Sequence, residues 1–394
     1  MDDMLKLVET EDEATNLAVS INKSCEERGF NLTKFISPSM KLLQSLPPEK
    51  RAKFVEDINI PVDESIERAL GVSWCVQRDT LKFRIVLNDK PLNRSGMLSS
   101  ISSTYDPDGT AGPSLIKGRK ILQELTFMKG NWTDRVPEEY GVRWERWRND
   151  LMQLEEVELP RCFKPPNFGR VVEACLHTFA DASEIGYGMC SYLRQVNEKE
   201  EIHVSLVLAK SRVTPLKETT MPRLELAAAY VGSKYHCLAK EELMIDDLKE
   251  KLWVDSKIVL GYILNKTRRY KTYVANKVQK ILAVSDEEDW DYIDTKINPA
   301  DYCSRGISPR NGEEFTTFNV YLKGNFGLKE GSFFHTERYG FLFCLLFSFV
   351  LVSFLSLLTI LDHMPRFLAV MTTSFLSRSF HIIGPMTIVR WSNE

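Results

Sequence analysis

The sequence lacks the cysteine patterns that mark zinc sites and disulfide frameworks. Its eight cysteines include no C-x-x-C pair and no partner histidine at zinc spacing. Cys175 and His177 lie close together in the sequence, but nothing downstream completes a tetrahedral set of ligands. The acidic N-terminus also has no apolar stretch of the kind found in signal peptides. We therefore predict buried or partly buried free thiols in a reducing compartment.

An overall positive charge is also missing. The 51 basic and 54 acidic residues give a net charge of −3, so no global field attracts nucleic acid to the protein. One segment, 264–280, departs from this balance, because it has no acidic residue. Its basic and aromatic residues are Lys266, Arg268, Arg269, Tyr270, Lys271, Tyr273, Lys277 and Lys280. Such a segment can contact phosphates and stack on bases, or it can be a solvated helix face.

The length of 394 residues allows two or three domains, and prolines mark the boundaries between them. Pro47-Pro48 follows a first segment, and Pro160 with Pro165-Pro166 follows two helical segments, 98–129 and 137–154. From about residue 170 the pattern changes to three strands, a helix, a strand, two helices and a last strand. This order predicts an α/β domain with a mixed five-stranded sheet and flanking helices.

Four acidic residues stand at the ends of these predicted elements. Asp181 and Asp255 end apolar runs that are predicted strands, Glu225 opens the predicted helix, and Asp301 follows Asn-Pro-Ala in a loop. Carboxylates that meet at one edge of a sheet repel each other unless a cation lies between them, and Mg²⁺ prefers oxygen ligands. Each residue alone has an ordinary alternative as a turn or cap carboxylate. Together they predict a metal-binding set.

The surrounding motifs carry a resemblance that covers roughly 29–306. They are Phe30-Asn31-Leu32-Thr33-Lys34, Ala69-Leu70-Gly71-Val72, Tyr105-Asp106-Pro107, Phe179-Ala180-Asp181-Ala182-Ser183-Glu184, Lys210-Ser211-Arg212-Val213, Pro222-Arg223-Leu224-Glu225-Leu226 and Asn298-Pro299-Ala300-Asp301. This segment closely resembles the reverse transcriptase–ribonuclease H part of Bel/Pao-type LTR retrotransposon polyproteins. It is also grouped as a Pao retrotransposon peptidase family, but the sequence has no Asp-Thr-Gly or Asp-Ser-Gly motif, so we expect no peptidase activity.

The resemblance implies a ribonuclease H-like fold and a two-metal nuclease. Asp181, Glu225, Asp255 and Asp301 would be both its catalytic and its metal-binding residues, with two Mg²⁺ ions as cofactors and Mn²⁺ as a substitute. The implied reaction is endonucleolytic hydrolysis of the RNA strand of RNA–DNA hybrids by a truncated, cytoplasmic polyprotein, with no small-molecule substrate. A decayed element that binds nucleic acid without cleaving it is the alternative. The residues predicted to contact nucleic acid are Lys210, Arg212, Arg268, Arg269, Tyr270, Lys271 and Lys277.

The N-terminus resembles an interrupted polymerase motif. Reverse transcriptases of this family have Tyr-x-Asp-Asp in the palm, then a helix and Gly-Phe-Asn-Leu; here Met1-Asp2-Asp3-Met4 precedes a helical stretch and Gly29-Phe30-Asn31-Leu32. The resemblance implies that Asp2 and Asp3 are remnants of the catalytic pair, so we expect no polymerase activity. The predicted domains are a palm remnant (1–45), a thumb- and connection-like α+β region (46–165), a ribonuclease H-like domain (166–310) and an unrelated hydrophobic helical tail (311–394).

The tail contains one long apolar run. Residues 340–361 are 22 residues without a charge. As a helix with a rise of 1.5 Å per residue this run would span about 33 Å, enough for a bilayer core of about 30 Å. It is therefore a candidate transmembrane helix that would anchor the protein in a membrane. Basic residues flank both sides and leave its orientation open. The alternative is unrelated sequence fused to a fragment of the element.

Overall fold

The computed structural model of the protein describes residues 3–7, 10–52, 66–69, 72–76, 78–85, 87, 90–308 and 386–391. All seven cysteines within this part of the chain are free thiols, four of them buried, as the sequence predicts. No helix among these residues is long and apolar enough to cross a bilayer. The candidate transmembrane segment 340–361 lies outside the described residues, and so does Asp2.

The first segment is small and has its own apolar core. It contains β1 (Asp3–Leu7), α1 (Glu11–Glu26), β2 (Leu32–Ile36) and α2 (Met40–Gln44). Thr10 caps α1, because its side chain accepts a hydrogen bond from the Glu13 amide at 3.2 Å. Asp3, the second predicted polymerase remnant, is the first residue of β1.

A four-stranded antiparallel sheet and three helices follow. The strands pair in the order β3, β4, β5, β6, so β4 and β5, which are consecutive in the chain, pair antiparallel. The helices lie between β5 and β6 in the chain, with one helix before and two after the turn at 106–109. The elements are β3 (Ile66–Ala69), β4 (Val72–Cys75), β5 (Thr80–Lys82), α3 (Arg94–Ser103), α4 (Gly112–Phe127), α5 (Glu138–Met152) and β6 (Glu158–Pro160).

The five-stranded mixed sheet predicted from the sequence is present. Its strands are β7 (Val171–Ala182), β8 (Gly186–Asn197), β9 (Ile202–Val213), β10 (Lys249–Val254) and β11 (Trp290–Tyr292). They lie in the order β11, β10, β7, β8, β9. The pairs β7–β8 and β8–β9 are antiparallel, whereas β10 runs parallel to both β7 and β11.

Helices flank both faces of this sheet. They are α6 (Met221–Leu243), α7 (Lys257–Ile263), α8 (Thr272–Leu282) and α9 (Ala300–Arg305). One apolar cluster joins the sheet to the helices that precede it in the chain: it contains Met97, Leu115 and Trp147 from α3–α5 together with Phe179, Tyr192 and Trp253 from the sheet. The helices α3–α5 therefore pack directly on the sheet, whereas the domain boundary at 165–166 remains a prediction.

The last described strand, β12 (Met386–Trp391), lies far from its neighbours in the sequence. It pairs antiparallel with both β1 and β2, which gives a three-stranded sheet in the order β1, β12, β2. Within it, Asp3 lies opposite Arg390. The end of the predicted tail thus forms the middle strand of a sheet whose other strands come from the first 36 residues.

Candidate active site

Two of the four predicted carboxylates come to one edge of the sheet because two parallel strands end there together. Asp181 is the penultimate residue of β7 and lies opposite Gly188 of β8. In the neighbouring strand β10, Val254 lies opposite Ala180 of β7, and Asp255 follows Val254 directly. The register therefore brings Asp255 beside Asp181.

Glu225 is held toward this edge through a hydroxyl group. It lies in the first turns of α6, and the Ser256 hydroxyl donates a hydrogen bond to its Oε2 at 2.6 Å. Ser256 also caps α7, since its Oγ accepts a hydrogen bond from the Val259 amide at 3.3 Å. One residue next to Asp255 thus links α6 to the start of α7.

Asp301 lies in the first turn of α9, and not in the loop that the sequence predicts. The helix is fixed beside β7 by Asn298, which is only 3% exposed. The Asn298 Nδ2 donates to the Ala180 carbonyl at 3.2 Å, while its Oδ1 accepts from the Ala300 amide at 3.1 Å. Asn298 also hydrogen-bonds the carboxylate of Asp255. A single buried amide therefore contacts the end of β7, the start of α9 and one of the four carboxylates.

Asp181 is the most deeply buried of the set, with 6% of its surface exposed. Its pKa is raised to about 7, mainly by burial and also by the negative charges of Asp255 and Asp301, against a hydrogen bond from the Ser304 hydroxyl that lowers it. Burial also raises the pKa of Asp255, against hydrogen bonds from Asn298 and Thr295 that lower it. The carboxyl groups thus disfavour each other's ionisation, which is the signature of an acidic site that a cation would stabilise.

The donor set is chemically suited to a hard divalent cation, since all four side chains offer carboxylate oxygens. Within 10–52 and 90–308, the main stretches of the described chain, no three His, Cys, Asp or Glu side chains are already grouped closely enough to hold a metal ion. The carboxylates are instead held by the neutral groups of Ser256, Asn298 and Ser304. Arg305 donates a hydrogen bond to Asp301.

Lys210 is partly buried, and its amino group faces an aromatic ring. Its Nζ is 5.8 Å from the centre of the Tyr235 ring. Burial and the nearby Arg119 lower the pKa of Lys210 to about 8, while Asp106 acts in the opposite direction. Arg212, two residues along β9, lies opposite Tyr187, which in turn lies opposite Ala182 at the end of β7. Arg212 is thus level with the carboxylate edge of the sheet, two strands away.

The exposed part of the basic segment forms a loop between α7 and α8. Arg268, Arg269 and Lys271 are exposed and precede Thr272, the first residue of α8, so the helix-face alternative is wrong for these three. Asn265 shapes the loop, because its side-chain oxygen accepts hydrogen bonds from the amides of residues 267 and 268 at 3.2 and 3.0 Å.

The aromatic members of this segment contact their neighbours in the protein. The Tyr270 ring packs edge-on against Tyr262 at 5.0 Å, and its hydroxyl donates to the Gly261 carbonyl at 3.1 Å. Lys277 is half-buried, with its Nζ 3.8 Å from the centre of the Tyr230 ring. Tyr270 and Lys277 are therefore partly committed to internal contacts.

Sequence reasoning did not single out Ser256, Asn298, Ser304 or Arg305 as part of the site. A signal was present for two of them. Ser256 directly follows Asp255 at a predicted helix start, and Asn298 lies just before another helix, the positions that favour capping side chains. The sequence around Ser304 and Arg305 contains no such signal, because their roles depend on the packing of α9 beside β7.

Residues 93–256 match the family model of the Pao retrotransposon-like RNaseH-like domain. This range includes Asp181, Glu225 and Asp255 and ends before Asp301. No protein of curated function is detectably similar to the chain in sequence.

Several solved structures of ribonucleases H are similar to the chain. The N-terminal RNase H domain of a Mycobacterium tuberculosis protein, solved as a fusion with maltose-binding protein, is 8% identical with a TM-score of 0.23, covering 39% of this chain and 99% of that one. RNase H1 of the halophilic archaeon Halobacterium salinarum is 11% identical with a TM-score of 0.20, covering 33% and 91%. The RNase H1 called LC11, in complex with an RNA/DNA hybrid, is 12% identical with a TM-score of 0.20, covering 32% and 88%.

Proposed function

We propose that the chain hydrolyses the RNA strand of RNA–DNA hybrids in a metal-dependent, endonucleolytic reaction, as a Bel/Pao-type retrotransposon ribonuclease H, a family that the match of residues 93–256 supports. The observation that carries the proposal is the meeting of Asp181 and Asp255 at one edge of the sheet, with Asp301 close enough to raise the pKa of both.

The proposed cofactor is a pair of Mg²⁺ ions bound by Asp181, Glu225, Asp255 and Asp301. Such ions supply an activated water and neutralise the charge that develops on the leaving 3′ oxygen. The protein contributes the orientation of the carboxylates, through hydroxyl and amide groups that are themselves fixed in the fold. Asp181 and Asp255 keep raised pKa values until a cation joins them, so ionisation of the site is coupled to metal binding.

The proposed partner is the hybrid itself, held through its phosphates by the exposed loop at 268–271. Phosphate contacts fix the register of a nucleic acid without reading its sequence, whereas contacts to 2′-hydroxyl groups distinguish RNA from DNA. Lys277 and Arg212 are weaker candidates, because Lys277 is half-buried against an aromatic ring and Arg212 is only partly exposed.

We expect the full-length protein to cut the RNA strand of a labelled hybrid in Mg²⁺ or Mn²⁺, and not in EDTA. Duplex DNA of the same sequence should stay intact, because it has no 2′-hydroxyl groups. Gel analysis of both strands checks this. Binding of the hybrid in Ca²⁺ without cleavage in either Mg²⁺ or Mn²⁺ would contradict the proposal and favour a decayed element that only binds nucleic acid.

Changing Arg268, Arg269 and Lys271 together to Gln should weaken hybrid binding for all sequences alike. The log–log dependence of affinity on salt should become shallower by roughly 2–3 units, because each lost phosphate contact removes about 0.9 units on a duplex. Binding is measured in Ca²⁺ at several salt concentrations. The cleavage rate at saturating hybrid should change little, since these residues contact the backbone and not the reacting phosphate.

A matched control removes three exposed positive charges elsewhere. Changing Lys90, Arg135 and Arg146 to Gln lowers the net charge by the same amount. This control should keep the parental salt slope. If both triple variants give the same slope, the loop at 268–271 does not hold the hybrid.

A further inference from the structure

Helix α9 carries a positive charge directly against one of the proposed metal ligands. Arg305 lies four residues after Asp301, one turn along the helix, and its Nε donates a hydrogen bond to Asp301 Oδ1. The Arg305 side chain is 58% exposed and that of Asp301 is 29% exposed. The ion pair thus lies at the solvent side of the carboxylate set.

The charge of Arg305 also interacts with carboxylates outside α9. The hydrogen bond from Arg305 to Asp301 raises the pKa of the guanidinium most, and the charges of Asp181 and Asp255 raise it further. The side chains that hydrogen-bond these two aspartates, by contrast, are neutral: Ser304 for Asp181, and Asn298 with Thr295 for Asp255. Arg305 therefore supplies positive charge to three of the four carboxylates from the rim of the site.

A guanidinium hydrogen-bonded to a carboxylate oxygen occupies one of its lone pairs and draws off negative charge, which makes that oxygen a weaker ligand for a divalent cation. The guanidinium and the cation also repel each other when they share a carboxylate cluster, and the repulsion scales with the product of their charges. At the same time, an ion pair this exposed is weak, because solvent screens it and two side chains must be held in place. Arg305 can therefore leave Asp301 readily, but its presence opposes the arrival of a metal ion.

We infer that Arg305 is an internal competitor for the divalent cation at Asp301, so that it sets the metal concentration at which the site fills. The inference rests on the proposed function, since it takes the four carboxylates to be metal ligands. In the metal-free protein Arg305 offsets part of the repulsion within the set. A cation bound at Asp301 would release the guanidinium into solvent, where a nucleic-acid phosphate would be a suitable new partner.

Mn²⁺ binding to the full-length protein, followed by electron paramagnetic resonance of the free ion, tests this directly. In Arg305→Gln the dissociation constant of the weakest Mn²⁺ site should fall about three- to tenfold, which corresponds to about 0.6–1.4 kcal/mol. Arg305→Lys keeps the charge and should bind Mn²⁺ within about twofold of the parent. Arg143→Gln breaks a similarly exposed ion pair, with Glu124, and should leave Mn²⁺ affinity unchanged.

A purely structural pair would behave differently. If Arg305 only stabilised α9, Arg305→Gln would loosen the helix and bind Mn²⁺ equally or more weakly, and either outcome overturns the inference. Circular dichroism at each metal concentration checks that all variants stay folded.

The failure of this inference can be told apart from failure of the proposed function. If the parent binds Mn²⁺ and loses that binding in Asp181→Asn, the metal site stands, and an unchanged Arg305→Gln affinity overturns the competitor role alone. If neither the parent nor Arg305→Gln binds Mn²⁺, both the competitor role and the metal-dependent function are wrong.

Discussion

Replacing Asp181 by asparagine should lower the rate of hybrid cleavage by about 1,000-fold or more. Asparagine keeps the shape of the side chain but removes its charge, and with it several kcal/mol of the charge stabilisation that a metal site supplies, where about 1.4 kcal/mol corresponds to a factor of ten. The measurement is single-turnover cleavage of a labelled hybrid in saturating Mg²⁺. A variant that cuts at the parental rate would show that Asp181 is not a metal ligand.

The same substitution should stabilise the metal-free protein at neutral and higher pH. The folded-state pKa of Asp181 is about 7, above its ordinary value of 3.8, so the folded protein binds this proton more tightly than the unfolded chain. The parent therefore loses stability as pH rises from about 4 to about 7, and the asparagine variant lacks this loss. In EDTA, the variant should gain about 1–3 kcal/mol relative to the parent between pH 5 and pH 8, measured by urea unfolding.

Asp247→Asn is the matched control for both effects. Asp247 is exposed and has a positive φ of 63°, a conformation that asparagine tolerates well. This control should leave both the cleavage rate and the pH dependence of stability as in the parent. If Asp247→Asn and Asp181→Asn gave the same stability profile in EDTA, burial of Asp181 would not be the cause.

Gly109→Ala should be the most destabilising single-methyl change in the segment before the five-stranded sheet, by about 2–5 kcal/mol. Gly109 has a φ of +71°, which disfavours any residue with a Cβ. A Cβ built there would lie 1.9 Å from the Ala209 carbonyl oxygen of β9, and backbone cannot move away as a flexible side chain can. The adjacent Asp108 carbonyl accepts a hydrogen bond from the Ala209 amide at 2.8 Å, so the substitution would separate the turn from β9.

Gly261→Ala provides the contrast. Gly261 lies inside α7, and nothing comes within 4 Å of an added Cβ. Alanine should therefore stabilise the helix by up to about 1 kcal/mol. Urea unfolding of the two variants and the parent measures both changes in the free energy of unfolding and shows whether each has the expected sign. Parental stability in Gly109→Ala would show that the turn at 106–109 does not hold α3 and α4 against the sheet.

Much of the α/β fold could be predicted because its signals are local. The strands and helices from residue 170 onward show their periodicity within short windows, and the strand register brings Asp181 and Asp255 together once the two strands are parallel. The helix at Asp301 was missed because α9 has only six residues and its start depends on Asn298, which is itself held by β7. Short helices that rely on a distant partner leave little trace in the sequence.

Charged residues were the harder part of the prediction. Contact of Lys210 with nucleic acid stays a prediction, whereas the charges that act on it, Asp106 and Arg119, come from about 100 residues earlier in the chain. Nothing near Lys210 in the sequence reveals this. The exposure of the loop at 268–271 was easier to predict. A run of basic residues with no acidic residue nearby in the sequence has no local ion-pair partner and stays in solvent. Whether these residues contact a hybrid stays a prediction.

The position of β12 between β1 and β2 sets an order of events during synthesis. Both outer strands leave the ribosome within the first 36 residues, but their middle strand begins only at Met386. The edges of β1 and β2 that pair with β12 therefore lack this partner while about 350 further residues are synthesised. Unpaired strand edges are sites at which chains aggregate or pair incorrectly. The five-stranded sheet, by contrast, is complete once Tyr292 has emerged. We expect the larger sheet to form during translation and the small one only after it, so a ribosome stalled before residue 386 should display a protease-resistant ribonuclease H-like region next to a protease-sensitive N-terminus.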